Sequence, residues 1–315
     1  MSAKTPTGVF EERAEALGRT LPALLLEAKR IANTLALGVH GRRRSGMGET
    51  FWQFRRFRDG DAPNAIDWRK SARSHRLYVR EHEWEAAGTV WLWLNRSRTM
   101  AYRSHLSEET KAERAVTLLL ALALLLVRGG ERVGALGLSA TAQSDQHTVP
   151  RIASELTVDG LIDDRGQTLP PDVDIRRLSS MVLFSDFLEP VEKIEATIAR
   201  FASREVRGHL VQVLDPAEET FPFAGRLEFR DVLGPDRLIV GRAETIVDGY
   251  RRKLAEHRAR LQRTVGKLGW TLSVHHTDAV PTVALLSLYA VLSGEFDLAR
   301  APAARAPVDR AAQAR

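Results

Sequence analysis

Residues 89–99 read Thr-Val-Trp-Leu-Trp-Leu-Asn-Arg-Ser-Arg-Thr, an apolar strand that passes directly into alternating polar residues. A second apolar strand, Met181–Phe184, ends in the same way, in Ser185 and Asp186. In an open parallel sheet, ligands bind beyond the carboxyl ends of the strands. Two strands that each deliver oxygen-bearing side chains to that edge therefore predict one shared site.

Strands and helices alternate from residue 88 onward. Strands are predicted at 89–94, 133–138, 181–184, 209–214 and 270–275, and helices at 107–128, 149–161, 191–204, 244–268 and 281–292. This alternation predicts an α/β fold, a mostly parallel sheet flanked by helices. Residues 227–240 predict an inserted β-hairpin that turns at Gly234 and Pro235.

The N-terminal part has a different pattern. Apolar residues at three- and four-residue steps predict a helix over 21–37, aromatic residues alternate with arginines over 51–58, and a strand is predicted at 77–80. We therefore divide the chain into an N-terminal helix with an Arg/aromatic module (1–87), the α/β domain (88–296) and a tail (297–315). The composition of the tail predicts disorder.

Composition limits the kind of protein. The 315 residues include no cysteine, which excludes disulfides and thiolate metal sites. The longest apolar run, Ala115–Val127, is too short to span a bilayer and predicts a buried core helix. Residues 1–13 carry charges without an apolar core segment, so we expect no secretory signal and a cytoplasmic location.

Positive charge is concentrated in one segment. Between Arg42 and Arg80, eleven lysines and arginines stand against four acidic residues, whereas the net charge of the whole chain is +6. This asymmetry indicates either an anionic partner or a solvated basic face. One alternative function is therefore nucleic-acid binding, in which these basic residues contact phosphates and the neighbouring aromatic residues stack on bases.

The polar residues after the first strand resemble a metal-ion-dependent adhesion site of von Willebrand factor A-type domains. The spacing places Asn95, Ser97 and Thr99 together, with Asp186 supplied by the second strand. Hydroxyl and carboxylate oxygens are the ligands that Mg²⁺ prefers, and Mn²⁺ sites are built from similar oxygen donors. The motif in such domains begins with Asp, and here Asn95 removes one negative charge from the site.

Two arginines next to this motif also oppose cation binding. Arg96 and Arg98 place positive charge beside any bound ion, so we predict a degenerate site whose Mg²⁺ or Mn²⁺ content stays open. Alternatively, Arg98 replaces the cation by pairing with Asp186, or binds an acidic ligand of a partner directly. Thr148 is a candidate for the threonine that a third loop contributes. Strand-end Asn, Ser and Thr also commonly cap helices or form turns.

The sequence contains no arrangement typical of catalysis. No Ser-His-Asp order, dinucleotide-binding fingerprint, phosphate-binding loop or pair of catalytic carboxylates is evident. The pair His275 and His276 is interpreted as a packing or surface feature. We therefore assign no catalytic residue and expect the protein not to be an enzyme.

Residues 60–73 read Gly-Asp-Ala-Pro-Asn-Ala-Ile-Asp-Trp-Arg-Lys-Ser-Ala-Arg and resemble the signature of the bacterial family called domain of unknown function 58. The residues that carry the resemblance are Gly60, Asp61, Asp67, Trp68 and Arg73. The family implies a von Willebrand factor A-like domain with no established enzymatic activity. It also implies a partner, a MoxR-type AAA+ ATPase, for which the chain serves as adaptor or co-chaperone.

The same block has a physical interpretation of its own. Asp61 and Asp67 lie in sequence among five arginines, and Arg–carboxylate pairs are geometrically specific. Trp68 offers an aromatic face on which an arginine can stack. We predict an ordered, charge-paired module that is mainly structural, with direct partner contact as the alternative.

Overall fold

A parallel five-stranded sheet forms the centre of the computed structural model. The structure describes residues 26–34, 51–56, 66, 68–73, 76–82, 88–158, 160–163 and 167–292. The strands are β1 (Phe51–Arg56), β2 (Tyr78–His82), β3 (Thr89–Leu94), β4 (Arg132–Ala135), β5 (Ser180–Ser185), β6 (Arg207–Leu214), β7 (Leu227–Arg230), β8 (Arg237–Val240) and β9 (Thr271–His276). The central sheet has the order β4-β3-β5-β6-β9, and all four pairings are parallel. The predicted α/β fold is confirmed.

Helices cover both faces of this sheet. They are α1 (Trp68–Ser71), α2 (Lys111–Arg128), α3 (Thr148–Val158), α4 (Val191–Ala202), α5 (Pro216–Thr220), α6 (Val247–Lys267) and α7 (Pro281–Leu292), with 3₁₀ turns at Arg98–Ala101 and Ala243–Thr245. One apolar cluster joins the sheet to α2, α3 and α7, and a second joins its other face to α4 and α6. Because both faces are covered, the strands read as nearly continuous apolar runs.

The order of the strands along the chain reverses between β3 and β5. From β3 the chain crosses to β4 on one side, then returns to β5 on the other side and continues outward to β6 and β9. The register places Leu94 beside Phe184, so both strands end at the same level. Beyond β4, a single antiparallel bridge joins Val133 to Gln143 and extends the edge of the sheet.

Helix α2 is the buried core helix that the apolar run predicts. It begins at Lys111, later than the predicted residue 107, because Thr110 caps it. The Thr110 side chain accepts a hydrogen bond from the backbone of Glu113, and the Glu113 carboxylate accepts one from the backbone of Thr110. This reciprocal arrangement is a capping box. Within the described residues, no helix is long and apolar enough to cross a membrane.

The inserted hairpin is also present. Strands β7 and β8 pair antiparallel, and the backbone N–H of Asp231 donates to the carbonyl of Asp236 across the turn. Phe229 stacks on Phe221 at a centroid distance of 5.9 Å and so anchors the hairpin to the end of α5. A two-stranded hairpin needs such support, since alone it is marginally stable in water.

The N-terminal module is described in part. Residues 26–34 are helical, as predicted, and Ala28 and Ile31 join the core cluster on the α2 face. Strands β1 and β2 pair antiparallel, and β1 was not predicted as a strand because its charged residues obscure the pattern. Of the signature residues, Gly60, Asp61 and Asp67 lie outside the described residues, as does the predicted tail at 297–315. Trp68 and Arg73 lie exposed in and just after α1.

Candidate functional site

A side-chain hydrogen bond joins the ends of β3 and β5. The Asn95 Nδ2 atom donates to Ser185 Oγ at 2.9 Å, and both residues are fully buried. The Asn95 Oδ1 atom accepts from the backbone N–H of Ser97 at 2.9 Å, which turns the chain at the end of the strand. Asn95 therefore links the two strand ends across the sheet. Asn95 supplies the amide donor of this link, whereas an ionised Asp at this position could only accept from the Ser185 hydroxyl.

The rest of the predicted motif lies on the 3₁₀ turn after β3. Ser97 Oγ and Thr99 Oγ1 are 3.0 Å apart and share a hydrogen bond. Arg98, between them, is exposed. Arg96 points the other way, is buried, and donates through its guanidinium to the carbonyl of Gly160. The structure thus separates the two arginines, so that only Arg98 faces the solvent.

The Asp186 carboxylate forms an ion pair with a lysine. Lys111, the first residue of α2, places its Nζ atom 2.9 Å from Asp186 Oδ2 and 2.8 Å from Glu218 Oε1. The lysine side chain is only 1% exposed. Nζ also lies 5.9 Å from the centroid of the Tyr102 ring. The cation that contacts Asp186 is thus Lys111, which sequence reasoning did not identify. The suggested pairing of Arg98 with Asp186 stays a prediction.

The protonation of this cluster follows from its charges. Burial alone lowers the pKa of Lys111, but the Asp186 and Glu218 carboxylates outweigh that effect, and the pKa is raised above its ordinary value. Burial raises the pKa of Glu218, although Lys111 opposes the shift. The two shifts have different causes, since the neighbouring carboxylates raise the pKa of Lys111 and burial raises the pKa of Glu218. Lys111 is therefore charged at neutral pH.

Glu218 belongs to the short helix α5, which begins at the end of β6. Asp215 caps this helix: its Oδ1 atom accepts from the N–H of Ala217, and its Oδ2 atom accepts from the N–H of Ser104. The second carboxylate oxygen of Glu218 accepts from the N–H of Asp215 at 2.8 Å. Two carboxylates thus fix the loop that precedes α2 against the end of β6, and they hold Glu218 opposite Lys111.

A second charged cluster lies farther along the same edge. Glu219 accepts two hydrogen bonds from the Arg258 guanidinium, both at 2.8 Å, and a third at 2.6 Å from His276 at the end of β9. Hydrogen bonds from His276 and Arg258 hold the pKa of Glu219 well below its ordinary value. Arg258 lies on α6, and it also donates to Gln212 on β6. Helix α6 therefore ties α5 to the sheet.

Thr148 opens α3 and is fully buried. Its Oγ1 atom makes no hydrogen bond within the described part of the chain, so no bond connects it to Asp186. Its role as the third-loop threonine stays a prediction.

We tested whether these residues fit a divalent cation. The carboxylate that the motif requires, Asp186, already contacts an ammonium at 2.9 Å. A divalent ion about 4 Å from that ammonium would be repelled by about 8 kcal/mol at an effective dielectric constant of about 20. Among the described residues, no group of three or more Asp, Glu, His or Cys side chains is placed to hold a metal ion. The residues present do not fit Mg²⁺ or Mn²⁺, the ions whose presence the sequence leaves open.

Sequence reasoning missed Lys111, Glu218 and Asp215 as members of the site. A signal exists for two of them. Asp215-Pro216-Ala217-Glu218 is a helix start with Pro at the first position and a capping pair three residues apart, directly after a predicted strand. Lys111 carries no comparable signal. Its partner Asp186 is 75 residues away, and only the folded structure brings them together.

Comparison with known proteins gives a family match and leaves the function open. A family model described as "Protein of unknown function DUF58" matches residues 53–260. Uncharacterized proteins of Mycobacterium tuberculosis and Mycobacterium bovis are 26% identical over 277 residues, 83% of this chain and 85% of each relative.

Two solved structures are also similar, at low scores. The conserved hypothetical protein BatB from Bacteroides thetaiotaomicron is 17% identical with a TM-score of 0.35, over 66% of this chain and 98% of that one. An aerotolerance-related membrane protein from Bacteroides fragilis is 16% identical with a TM-score of 0.38, over 66% of this chain and all of that one.

Proposed function

The chain belongs to the family described as protein of unknown function DUF58, and we propose that it is a non-enzymatic protein-interaction module that binds its partner at the carboxyl edge of the sheet. The observation that carries this proposal is the hydrogen bond from Asn95 to Ser185, which joins β3 and β5 where the strand order reverses. Open α/β sheets bind ligands in the crevice at this point.

The charged groups at this edge support binding in preference to catalysis. Asp186 and Glu218 are held by the same ammonium, and Glu219 is held by Arg258 and His276. A general base needs to reach a proton of the substrate, and these carboxylates are already engaged. Their contacts instead fix loops in one conformation, which lowers the entropic cost of binding a partner.

The solvent-exposed rim of the edge has the chemistry of a protein interface. Arg98 is exposed on the 3₁₀ turn, Tyr102 and Leu106 on the following loop are 38% and 40% exposed, and Leu188 after β5 is 44% exposed. Arginine and tyrosine are enriched among residues that dominate interface energy. We infer that Arg98 binds an acidic side chain of the partner.

The partner that we propose is a MoxR-type AAA+ ATPase, with this chain as a cytoplasmic adaptor or co-chaperone. This part of the proposal rests on the family resemblance of the signature block at residues 60–73. A member of that ATPase class encoded beside this chain would be the natural candidate to purify.

The test compares charge reversals at the two ends of the sheet. Binding of the purified ATPase to the immobilised protein is measured for the wild type, Arg98→Glu and Arg207→Glu. Arg207 is an exposed arginine at the amino end of β6, on the opposite edge, and is the matched control. We expect Arg98→Glu to weaken binding about tenfold, equivalent to about 1.4 kcal/mol, and Arg207→Glu to have no effect. Equal effects of the two variants would contradict a docking site at the carboxyl edge.

One observation favours the alternative of nucleic-acid binding. Trp68 is 64% exposed, and Arg69 and Arg73 beside it are exposed as well, which is the combination that stacks on bases and contacts phosphates. Most of the remaining basic segment lies outside the described residues. A mobility-shift assay with single-stranded DNA at low salt tests this function. Retention that Trp68→Ala reduces would support it, and no retention of the wild type would exclude it.

A further inference from the structure

We propose that Lys111 is an internal cation that takes the place of a divalent metal ion at the carboxyl edge, so that docking at this edge requires no metal. The motif after β3 resembles one that binds a metal ion. Yet the atom that contacts Asp186 Oδ2 at 2.9 Å and Glu218 Oε1 at 2.8 Å is the Nζ atom of this lysine. The ammonium is almost completely buried and is held from both sides by carboxylates.

Lys111 is the first residue of its helix, a position that is unfavourable for a cation, so the two carboxylates must account for a lysine there. A positive charge at the first residue of a helix is unfavourable, because the helix dipole already places partial positive charge there. The capping box of Thr110 and Glu113 nevertheless fixes the backbone of this first turn, so the lysine side chain starts beside the two carboxylates. The contacts with Asp186 and Glu218 compensate for the burial and the dipole.

The substitution of Asn for Asp in the motif agrees with this arrangement. Asp186 accepts hydrogen bonds from Lys111 Nζ and, at 3.4 Å, from the Ser185 hydroxyl, and Ser185 Oγ in turn accepts from the Asn95 amide. An ammonium carries one charge where a metal ion carries two. It therefore needs fewer carboxylates around it, so a neutral residue is tolerated at position 95, where Asn95 links the two strands.

Exclusion of metal by Lys111 is a property of this chain alone, whereas metal-free docking of a partner rests on the proposed function. The experiment therefore first measures the binding of Mn²⁺ to the chain without a partner. A failure of metal exclusion is then distinguished from a failure of docking.

Mn²⁺ binding is measured by electron paramagnetic resonance for the wild type, Lys111→Ala and Lys111→Met. The alanine variant removes the charge and opens space for an ion, whereas methionine removes the charge but fills the space. We expect Lys111→Ala to bind Mn²⁺ at least tenfold more tightly than the wild type or Lys111→Met, and addition of Asp186→Asn to abolish this gain.

Two results would overturn the proposal. One is saturable Mn²⁺ binding by the wild type that Asp186→Asn removes. The other is a folded Lys111→Ala protein, verified by circular dichroism, that excludes Mn²⁺ as the wild type does. If Lys111→Ala does not fold, Lys111→Gln, which removes the charge and keeps a hydrogen-bond donor, replaces it in the same comparison. For the partner, the ATPase is used free of nucleotide, so that EDTA removes no Mg²⁺ from its own site. Binding that is unchanged by EDTA supports the proposal, and binding that EDTA abolishes contradicts it.

Discussion

Replacement of Lys111 by methionine tests the energetics of the buried cluster. Methionine nearly conserves the volume of the side chain, so the cavity term is small and the effect reports the lost charge. The change leaves two buried carboxylates, Asp186 and Glu218, without the ammonium that contacts both. Removal of one partner from a buried ion pair typically costs 3–5 kcal/mol, so we expect a loss of about 4 kcal/mol at pH 7. For a domain of this size, that loss lowers Tm by about 10 °C.

The pH dependence of that loss has a definite sign. Burial already raises the pKa of Glu218, and loss of Lys111 raises it further. A carboxyl group whose pKa is raised in the folded protein destabilises the fold when it is ionised. The loss is therefore full at high pH and shrinks as the pH falls and the group takes up a proton.

Chemical denaturation at pH 7.5 and pH 5 measures the effect. Lys193→Met, a change of an exposed lysine in the first turn of α4, is the control and should alter the unfolding free energy by less than about 0.5 kcal/mol. A Lys111→Met protein as stable as this control, or one whose loss grows as the pH falls, would refute the reasoning.

Other side chains give further predictions. Burial lowers the pKa of His209 to about 4, so the folded protein binds fewer protons than the unfolded chain between pH 6.5 and 4. The unfolding free energy should therefore fall by about 3 kcal/mol as the pH falls over that range. In denaturation measured across this range, His209→Gln should remove this part of the pH dependence. Gly208→Ala places a methyl group within 2.1 Å of the Trp270 ring and should cost about 2 kcal/mol in urea denaturation, whereas Gly249→Ala, in an open position on α6, should stabilise by up to about 1 kcal/mol. Thr110→Ala removes the cap of α2 and should lower the unfolding free energy by about 1 kcal/mol in the same assay, while an unchanged midpoint would argue against the capping box.

The fold could be predicted from the sequence because its signals are local. The apolar runs of β3 and β5 and the helical spacing of α4 each identify an element without knowledge of its neighbours. Boundaries were less certain. The apolar pattern predicts a start of α2 at residue 107, whereas the capping pair Thr110 and Glu113 starts the helix at Lys111. Strand β1 was missed because its charged residues hid the pattern.

The site could be predicted only in part. The adjacency of Asn95 and Ser185 followed from the rule that parallel strands end at one edge, which needs only the strand ends. The identity of the cation did not follow. Lys111 appears in the sequence as one more charged residue before an apolar helix, and its burial depends on contacts with residues 75 and 107 positions away. Long-range charge pairing of this kind leaves no local pattern.

The most direct measurement of the central claim is anomalous diffraction at the manganese edge, from crystals of the protein soaked in Mn²⁺. We expect the Lys111 Nζ atom within hydrogen-bond distance of both Asp186 and Glu218, and no anomalous peak between these carboxylates. A manganese ion coordinated by Asp186, with Lys111 displaced, would contradict the claim that this lysine is the cation of the site.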